Sequence, residues 1–499
     1  MMELRAELGY GLLATLISFV LAWPLLKSVI KLLIIYWRVP WRNSKGERMK
    51  GEPPKLPYGQ INKVNFFGRP LSKKYGPVYY IWHCLTPIVI LADAEAIRSF
   101  YTDHYAHKRD RDFTSLGCVW KQVLGDCLAN SHGRDEVKRC RGPFEKYFTS
   151  SMVMSVLPII GRECRSFIAK VPKNSPVDLM KEGLSKVTLR VLIQIVYGEE
   201  VLQKHFERIL DISDQLQDTV DLFNVGETKL SFYSKLPTSV NRQAQSFNKT
   251  WTNVNRFLFE EYEEGRLNSS GDGLFFVMME QLRSNSLDLK EQELFHSVDE
   301  ILLLNIDVSF AATSFALADI ARHSDVQSKL RNEIGEALEG QDPSIFQDLD
   351  KRLPYMEMVL KESARMHPAL ALSLPERTVK PMTDMAGYLI PQGTPVCVDT
   401  YSLNYSEKYW KNPDEFKPER FAEGTRQVPG SYFRFGMGPR KCLGYRYALA
   451  ITRIVVASVL QKYAISLADP LGSPKIKARG MPFFTPYICT GVVFTERSS

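Results

Sequence analysis

"FGMGPRKCLG", residues 435–444, sets one cysteine in a loop broken by three glycines. The stretch after it, "LGYRYALAITRIVVASVLQKY" (Leu443 to Tyr463), has the apolar spacing of a helix. Three readings compete for Cys442. A free cysteine is most often a small buried hydrophobe. A dinucleotide-binding loop would explain Gly436-Met437-Gly438, but Lys441 stands where the third glycine belongs, and no acid occurs between Leu443 and Ala468 to hold a ribose. A metal thiolate explains more. At a helix N-terminus the unpaired N–H groups and the dipole favour a negative sulfur. Arg440 and Lys441 act in the same direction. Gly436, Gly438 and Gly444 let backbone approach a flat group and the sulfur, and Phe435 can shield the sulfur from water.

The rest of the chain supports a large folded domain. Of 499 residues, 44% are apolar and 24% charged, which excludes wholesale disorder. A net charge of +8 is mild for this length; it suits an anionic membrane face or an acidic protein partner, and no nucleic-acid partner is expected. The eight cysteines form no CxxC pair, which argues against a zinc module or disulfide scaffold and for a reducing compartment.

The N-terminus reads as an anchor. Leu8 to Leu26 is an uncharged run of about 19 residues, enough to span a bilayer as a helix. Lys27, Lys31, Arg38, Arg42, Lys45, Arg48 and Lys50 follow it, so this side is expected to face the cytosol. The expected organisation is a lumenal segment 1–7, a transmembrane helix 8–26, a basic interfacial segment with a Pro-rich linker 27–59, and a catalytic domain 60–499.

Within that domain, Tyr75 to Asp93 is rich in β-branched and aromatic residues and predicts a small sheet. Helical patterns dominate from Ala94 to His367. "DEILLLNIDVSFAATSFALADIARH" (Asp299 to His323) is apolar on all sides and predicts a buried helix. Short strands are expected between Asp384 and Val398 and between Pro482 and Val493. The fold class is mainly α with a minor β part.

At this point a resemblance enters. "FGMGPRKCLG" is similar to the heme-binding loop of the cytochrome P450 family, F-G-x-G-x-R-x-C-x-G, at all six fixed positions. A chance match in a chain of this length has odds on the order of one in a hundred thousand. "KESARMHP" (Lys361 to Pro368) resembles the family's E-x-x-R pair, and "FKPERF" (Phe416 to Phe421) resembles the segment that adds a third member. The resemblance implies a buried structural charge network of Glu362, Arg365 and Arg420. It implies Arg440, Arg377 in "LPERTV", and Arg141 in "DEVKRCRGPF" as partners of the heme propionates. Val137 replaces the usual tryptophan of that last motif, and Arg139 is an alternate donor.

The central helix departs from the family pattern. Where [AG]-G-x-[DE]-T-[TS] is usual, this chain has "LNIDVSF" (Leu304 to Phe310). Asn305 replaces the glycine, Asp307 keeps the acid, and Val308 takes the place of the threonine. Asp307 with Ser309, or Thr313 one turn later, is expected to relay protons. The resemblance further implies the cytochrome P450 fold, heme b (iron protoporphyrin IX) ligated by Cys442, and insertion of one oxygen atom from O2 into a lipophilic small molecule. The variant motifs suggest secondary metabolism. Electrons are expected from NADPH through a separate NADPH-cytochrome P450 reductase, docked on the cysteine side at Arg440, Lys441 and Arg446. Residues near 114–123, 310–313, 369–374 and 483–485 are expected to wall the substrate site. The implied location is the endoplasmic reticulum membrane, single-pass, with a cytosolic catalytic domain. Two alternatives stay open: a non-oxygenating heme-thiolate isomerase or dehydratase, and a heme sensor without turnover.

Overall fold

The computed structural model describes residues 41–52, 71–83, 86–102, 110–111, 125–131, 133–179, 183–226, 236–267, 273–379, 382–425, 427–469, 476–477, 487–488 and 491–496, with helical positions at 22–23, 26–27 and 30. Most of the expected anchor therefore lies outside the described residues. Among the described residues no helix is long and apolar enough to cross a membrane.

Eleven helices carry the architecture described here: α1 (Ala94–Thr102), α2 (Gly133–Glu145), α3 (Ser150–Lys170), α4 (Leu184–Tyr197), α5 (Glu199–Gly226), α6 (Ser239–Glu263), α7 (Leu274–Arg283), α8 (Glu291–Arg322), α9 (Ser324–Leu338), α10 (Pro354–Met366) and α11 (Tyr445–Lys462). Their starts follow local chemistry. The Thr149 hydroxyl accepts the Met152 N–H ahead of α3, and Thr238 does the same for Asn241 ahead of α6. Pro354 opens α10 at a position where no N–H is needed.

α8 is the axis of the molecule. It packs against α4, α10 and α11, and Val298, Leu302, Phe310, Ala311, Phe315, Ala316, Leu317 and Ile320 along it are almost wholly buried. Burial of each large apolar side chain contributes about 1.5–3 kcal/mol. The helix begins at Glu291, a full two turns before the apolar stretch that marks it in the sequence. The reason is a cap: the Glu293 carboxylate accepts the Lys290 N–H at 2.8 Å, and the first turns carry polar side chains that contact neighbours.

The β part is small and split. Strands β1 (Lys50–Gly51), β2 (Val78–His83), β3 (Thr86–Leu91), β4 (Asp110–Arg111), β6 (Glu376–Arg377) and β9 (Pro395–Val398) form one sheet in the order β1-β2-β3-β9-β6-β4. β2 and β3 are the antiparallel pair expected from Tyr75 to Asp93, in register from Val78↔Leu91 to His83↔Thr86. β5 (Pro176–Val177), β10 (Tyr463–Leu467) and β13 (Val492–Glu496) make a second sheet. β7 (Met382–Met385) pairs with β8 (Tyr388–Pro391), and β11 (Ile476–Lys477) with β12 (Tyr487–Ile488). The sheets lie beside the helical body, so α8, α11 and the loop before α11 frame the site.

Candidate heme-thiolate site

The loop ahead of α11 is built on two left-handed glycines. Gly436 has φ +75° and Gly438 φ +68°, backbone that an L side chain rarely adopts. Between them the chain reverses, Gly438–Arg440 forms a single 3₁₀ turn, and the Cys442 N–H closes the loop on the Phe435 carbonyl at 2.9 Å. Gly444 differs: its φ is −83°, and it serves as the residue flanking the helix start. The helix therefore begins at Tyr445, and Cys442 sits just outside its first turn.

Cys442 is half-buried, whereas the other described cysteines outside disulfides, Cys127, Cys140, Cys164 and Cys397, are buried. Burial pushes the Cys140 thiol up to about 11 and the Cys164 thiol up to about 12. Those thiols are poor sources of a thiolate, and the partly exposed cysteine beside Lys441 is the better one. Aromatic and cationic groups cluster on the residues that flank it in the chain: Phe435 and Tyr445 lie 5.9 Å apart, the Arg434 guanidinium stands 4.9 Å from the Phe435 ring, and the Lys441 ammonium 4.0 Å from the Tyr445 ring. A sulfur donor on a glycine-opened loop, with a long apolar helix packed close by, fits a heme.

Arginines hold this loop. Arg440 is buried, and its guanidinium donates to the Ser131 carbonyl and, at 3.3 Å, to the Ser131 hydroxyl. That burial removes Arg440 from the exposed charges expected to attract a reductase; Lys441 stays exposed and Arg446 half-exposed. Arg141 donates from Nη2 to the Lys441 carbonyl at 2.8 Å and from Nε to Glu145 at 3.0 Å. These partners clamp the cysteine loop from α2, where the resemblance implied a propionate contact. Arg139 is not available as the alternate donor: it makes a two-pronged ion pair with Glu293 at 2.8 and 2.7 Å, tying α2 to the start of α8. Val137 is buried in the tryptophan's place. Arg377 lies in β6, paired with Asp110 in β4 and Pro395 in β9.

Glu362, Arg365 and Arg420 come together. Arg365 donates two bonds to the Glu362 carboxylate at 2.7 and 2.9 Å, and both side chains are fully buried. Arg420 reaches the same carboxylate at 2.9 Å, as does the Lys417 N–H at 2.8 Å. Further guanidinium N–H groups donate to main-chain carbonyls: Asn404 and Glu415 from Arg365, Lys411, Asn412 and Glu415 from Arg420. One carboxylate faces two cations, and carbonyl dipoles hold the second.

The relay candidates on α8 separate. Asp307 lies in the helix, and its side chain falls outside the described residues. Ser309 is buried. The Thr313 hydroxyl donates to the Ser309 carbonyl at 3.0 Å and pairs with the Thr452 hydroxyl of α11 at 3.1 Å. Thr313 thus takes part in the α8–α11 contact. Asn305 turns its amide back onto the Ile301 carbonyl at 2.8 Å. Of the expected substrate walls, residues 310–313 and 369–374 are described, while 114–123 and 483–485 lie outside the described residues. Sequence reasoning missed Ser131 and Thr452. Ser131 presents mainly its carbonyl, which every residue has, so nothing in the sequence could have marked it.

Comparison with known proteins agrees with this geometry. The Cytochrome P450 family model matches residues 56–486. Cytochrome P450 monooxygenase verC of Clonostachys rogersoniana is 29% identical over 87% of this chain and 86% of that protein. Lithocholate 6-beta-hydroxylase of Mesocricetus auratus is 28% identical over 90% of this chain and 91% of its own length. The solved structure of retinoic acid bound cyanobacterial CYP120A1 superposes with a TM-score of 0.75 at 17% identity, covering 90% of this chain and 100% of that one.

Proposed function

The chain belongs to the cytochrome P450 family, and from that premise we propose what it oxidises, where its electrons come from and where it resides. The family makes it a monooxygenase, an oxidoreductase that incorporates oxygen from O2, with heme as cofactor and a redox partner. Bound heme supplies the reductive activation of O2. The chain's own residues do the rest. Cys442 Sγ would ligate the iron, the Phe435–Cys442 loop would fix that sulfur, and Arg440 and Arg377 would hold the propionates. We assign proton transfer to the Asp307 carboxylate and Ser309 Oγ, because Val308 has no hydroxyl and Thr313 is engaged by Thr452.

The substrate is a lipophilic small molecule of secondary metabolism. Support comes from the apolar residues of α8, from a relative named for lithocholate, and from the similarity to fungal cytochrome P450 monooxygenases. The electron donor is NADPH-cytochrome P450 reductase, meeting Lys441 and Arg446 beside the cysteine loop. The protein sits in the endoplasmic reticulum membrane by the apolar run from Leu8 to Leu26, with residues 60–499 in the cytosol; the basic residues after that run support this orientation.

The observation that carries the reading is the half-exposed Cys442 on a loop closed by its own N–H and two left-handed glycines. The reduced carbon-monoxide spectrum tests it. The wild type should show the strongly red-shifted Soret band of a thiolate ligand, and Cys442→Ser should lose it. A wild type without that band sinks the assignment.

A further inference from the structure

The segment 125–131 has no part in the function described so far, yet it joins α8 to the cysteine loop. At its start Gly125 has φ +54°, and a Cβ built there would fall inside the His296 imidazole. The Asp126 N–H donates to His296 Nδ1 at 2.9 Å. That bond requires the neutral ring with its proton on Nε2. One turn along α8, the Glu300 carboxylate accepts the Ala129 N–H at 2.8 Å and also bonds the Cys127 thiol. The strap is closed on itself by Asn130 Nδ2 to the Gly125 carbonyl at 2.8 Å and by the Ser131 hydroxyl to the Leu128 carbonyl at 2.7 Å. Its last residue, Ser131, is the one that accepts from Nη1 and Nη2 of Arg440.

We propose that His296 and Glu300 are positioning residues for the cysteine ligand: they fix the 125–131 strap on α8, and the strap, through Ser131, fixes Arg440 two residues before Cys442. The inference rests on Cys442 as the heme ligand. A strap loose on α8 leaves the Ser131 carbonyl free to move, and Arg440 moves with it. The loop then samples arrangements in which the sulfur is protonated or displaced.

The charges around His296 define its pH behaviour. On the strap, Asp126 faces the ring and favours its protonation, while burial opposes it more strongly and holds the imidazole below its ordinary value. On α8, Glu293 is engaged by Arg139 of α2, Glu300 by Ala129 and Cys127, and Asp299 by Asn255 of α6. Because the native ring binds its proton less readily than the unfolded one, its contribution is full above about pH 6.5 and is lost as pH falls below it.

The test uses purified full-length holoenzyme. In the His296→Ala/Glu300→Ala double variant, heme transfer to an apo-globin acceptor should speed by about thirty-fold, the factor expected from losing the bonds to the Asp126 and Ala129 amides. The reduced carbon-monoxide complex should shift from the thiolate to the thiol form. Gly125→Ala, which drives a methyl into the His296 ring, should reproduce part of this with every residue of α8 unchanged. His296→Asn with Glu300→Gln keeps an acceptor at both places and should keep wild-type heme retention, while removing the loss that the wild type shows on acidification below about pH 6.5. Amide exchange of Asp126 and Ala129 in the same full-length protein separates this proposal from the ligand assignment: both amides should be protected in the wild type and exchange freely in the double alanine variant, whichever residue ligates the iron. Wild-type heme transfer in the double alanine variant overturns the proposal. So does equal loss in the Asn/Gln and Ala/Ala variants, or exchange that the substitutions do not change.

Discussion

Replacing Glu362 by Gln removes one negative charge from a site with no solvent exposure and leaves the guanidinium groups of Arg365 and Arg420 facing each other across it. Glutamine keeps the volume and one acceptor oxygen, so packing is nearly unchanged and the perturbation is electrostatic. Arg365 is fully buried and has no water to turn to; the carbonyls of Asn404 and Glu415 are fixed and already bonded to it. Breaking a buried ion pair by removing one partner costs about 3–5 kcal/mol, most of it the uncompensated charge left behind. Set against a urea dependence of about 3 kcal/mol per molar for a chain of this size, the unfolding midpoint should fall by roughly 1–1.7 M, and proportionately less if the dependence is steeper. The assay is urea titration of holoenzyme followed by circular dichroism and by the Soret band. Arg420→Ala should cost less, about 1.5–3 kcal/mol, because Arg420 is partly open to solvent and its loss leaves a one-to-one pair. A Glu362→Gln midpoint within about 0.2 M of wild type, or a smaller effect than Arg420→Ala, would falsify the argument that one carboxylate neutralises a buried pair of cations.

Four further outcomes follow from the site. Ser309→Ala and Asp307→Asn should lower product formed per NADPH consumed, whereas Thr313→Val should leave coupling intact and cost only about 1 kcal/mol of stability, measured by product and peroxide yields beside thermal unfolding. Arg141→Ala should destabilise the thiolate form by about 1.5–3 kcal/mol through loss of the Lys441 carbonyl contact, and Arg141→Lys should not restore it, read from the reduced carbon-monoxide spectrum in urea. Asp299 is held by Asn255 in a fully buried place, and burial pushes its carboxyl well above the usual range. Its folded form therefore favours the proton, stability is lost as pH rises above the unfolded value, and Asp299→Asn should gain stability by up to about 1.4 kcal/mol per pH unit in that window; an equal effect at every pH refutes it. The Glu293 carboxyl is held below its ordinary value first by its bonds to Arg139, so the α2–α8 tie contributes above that value and is lost as pH falls through the lowered one, which Arg139→Gln should abolish in acid unfolding scans.

Much of this was legible in the chain because the chemistry needs rare residue types at fixed spacing. Gly436, Gly438 and Cys442 announce a loop and a sulfur, and Glu362 with Arg365 announces a pair on one helix face. The buried helix was visible from its apolar length, but its first two turns were not, since Glu293 and His296 carry no apolar signal and are buried by contacts with α2 and the strap. Thr313 looked like a donor near Asp307 because sequence cannot show that Thr452, far along the chain, meets it across α8 and α11.

The residues that hold the cysteine loop share a device that explains why their partners were invisible. Arg440 grips the Ser131 carbonyl, Arg141 the Lys441 carbonyl, Arg365 the Asn404 and Glu415 carbonyls, and Arg420 the Lys411 carbonyl. A guanidinium has five donors in a rigid fork, so it can satisfy several main-chain oxygens whatever side chains those residues carry. The arginine is then specified by the structure and its partner is not. It follows that lysine, with the same charge on a flexible stem, should fail at Arg141, Arg365 and Arg440 alike, while changes to the side chains of Asn412, Glu415 and Lys411 should be far better tolerated. A lysine that restored the thiolate band at any of the three would mean that charge alone, and not the fork, holds the sulfur's loop.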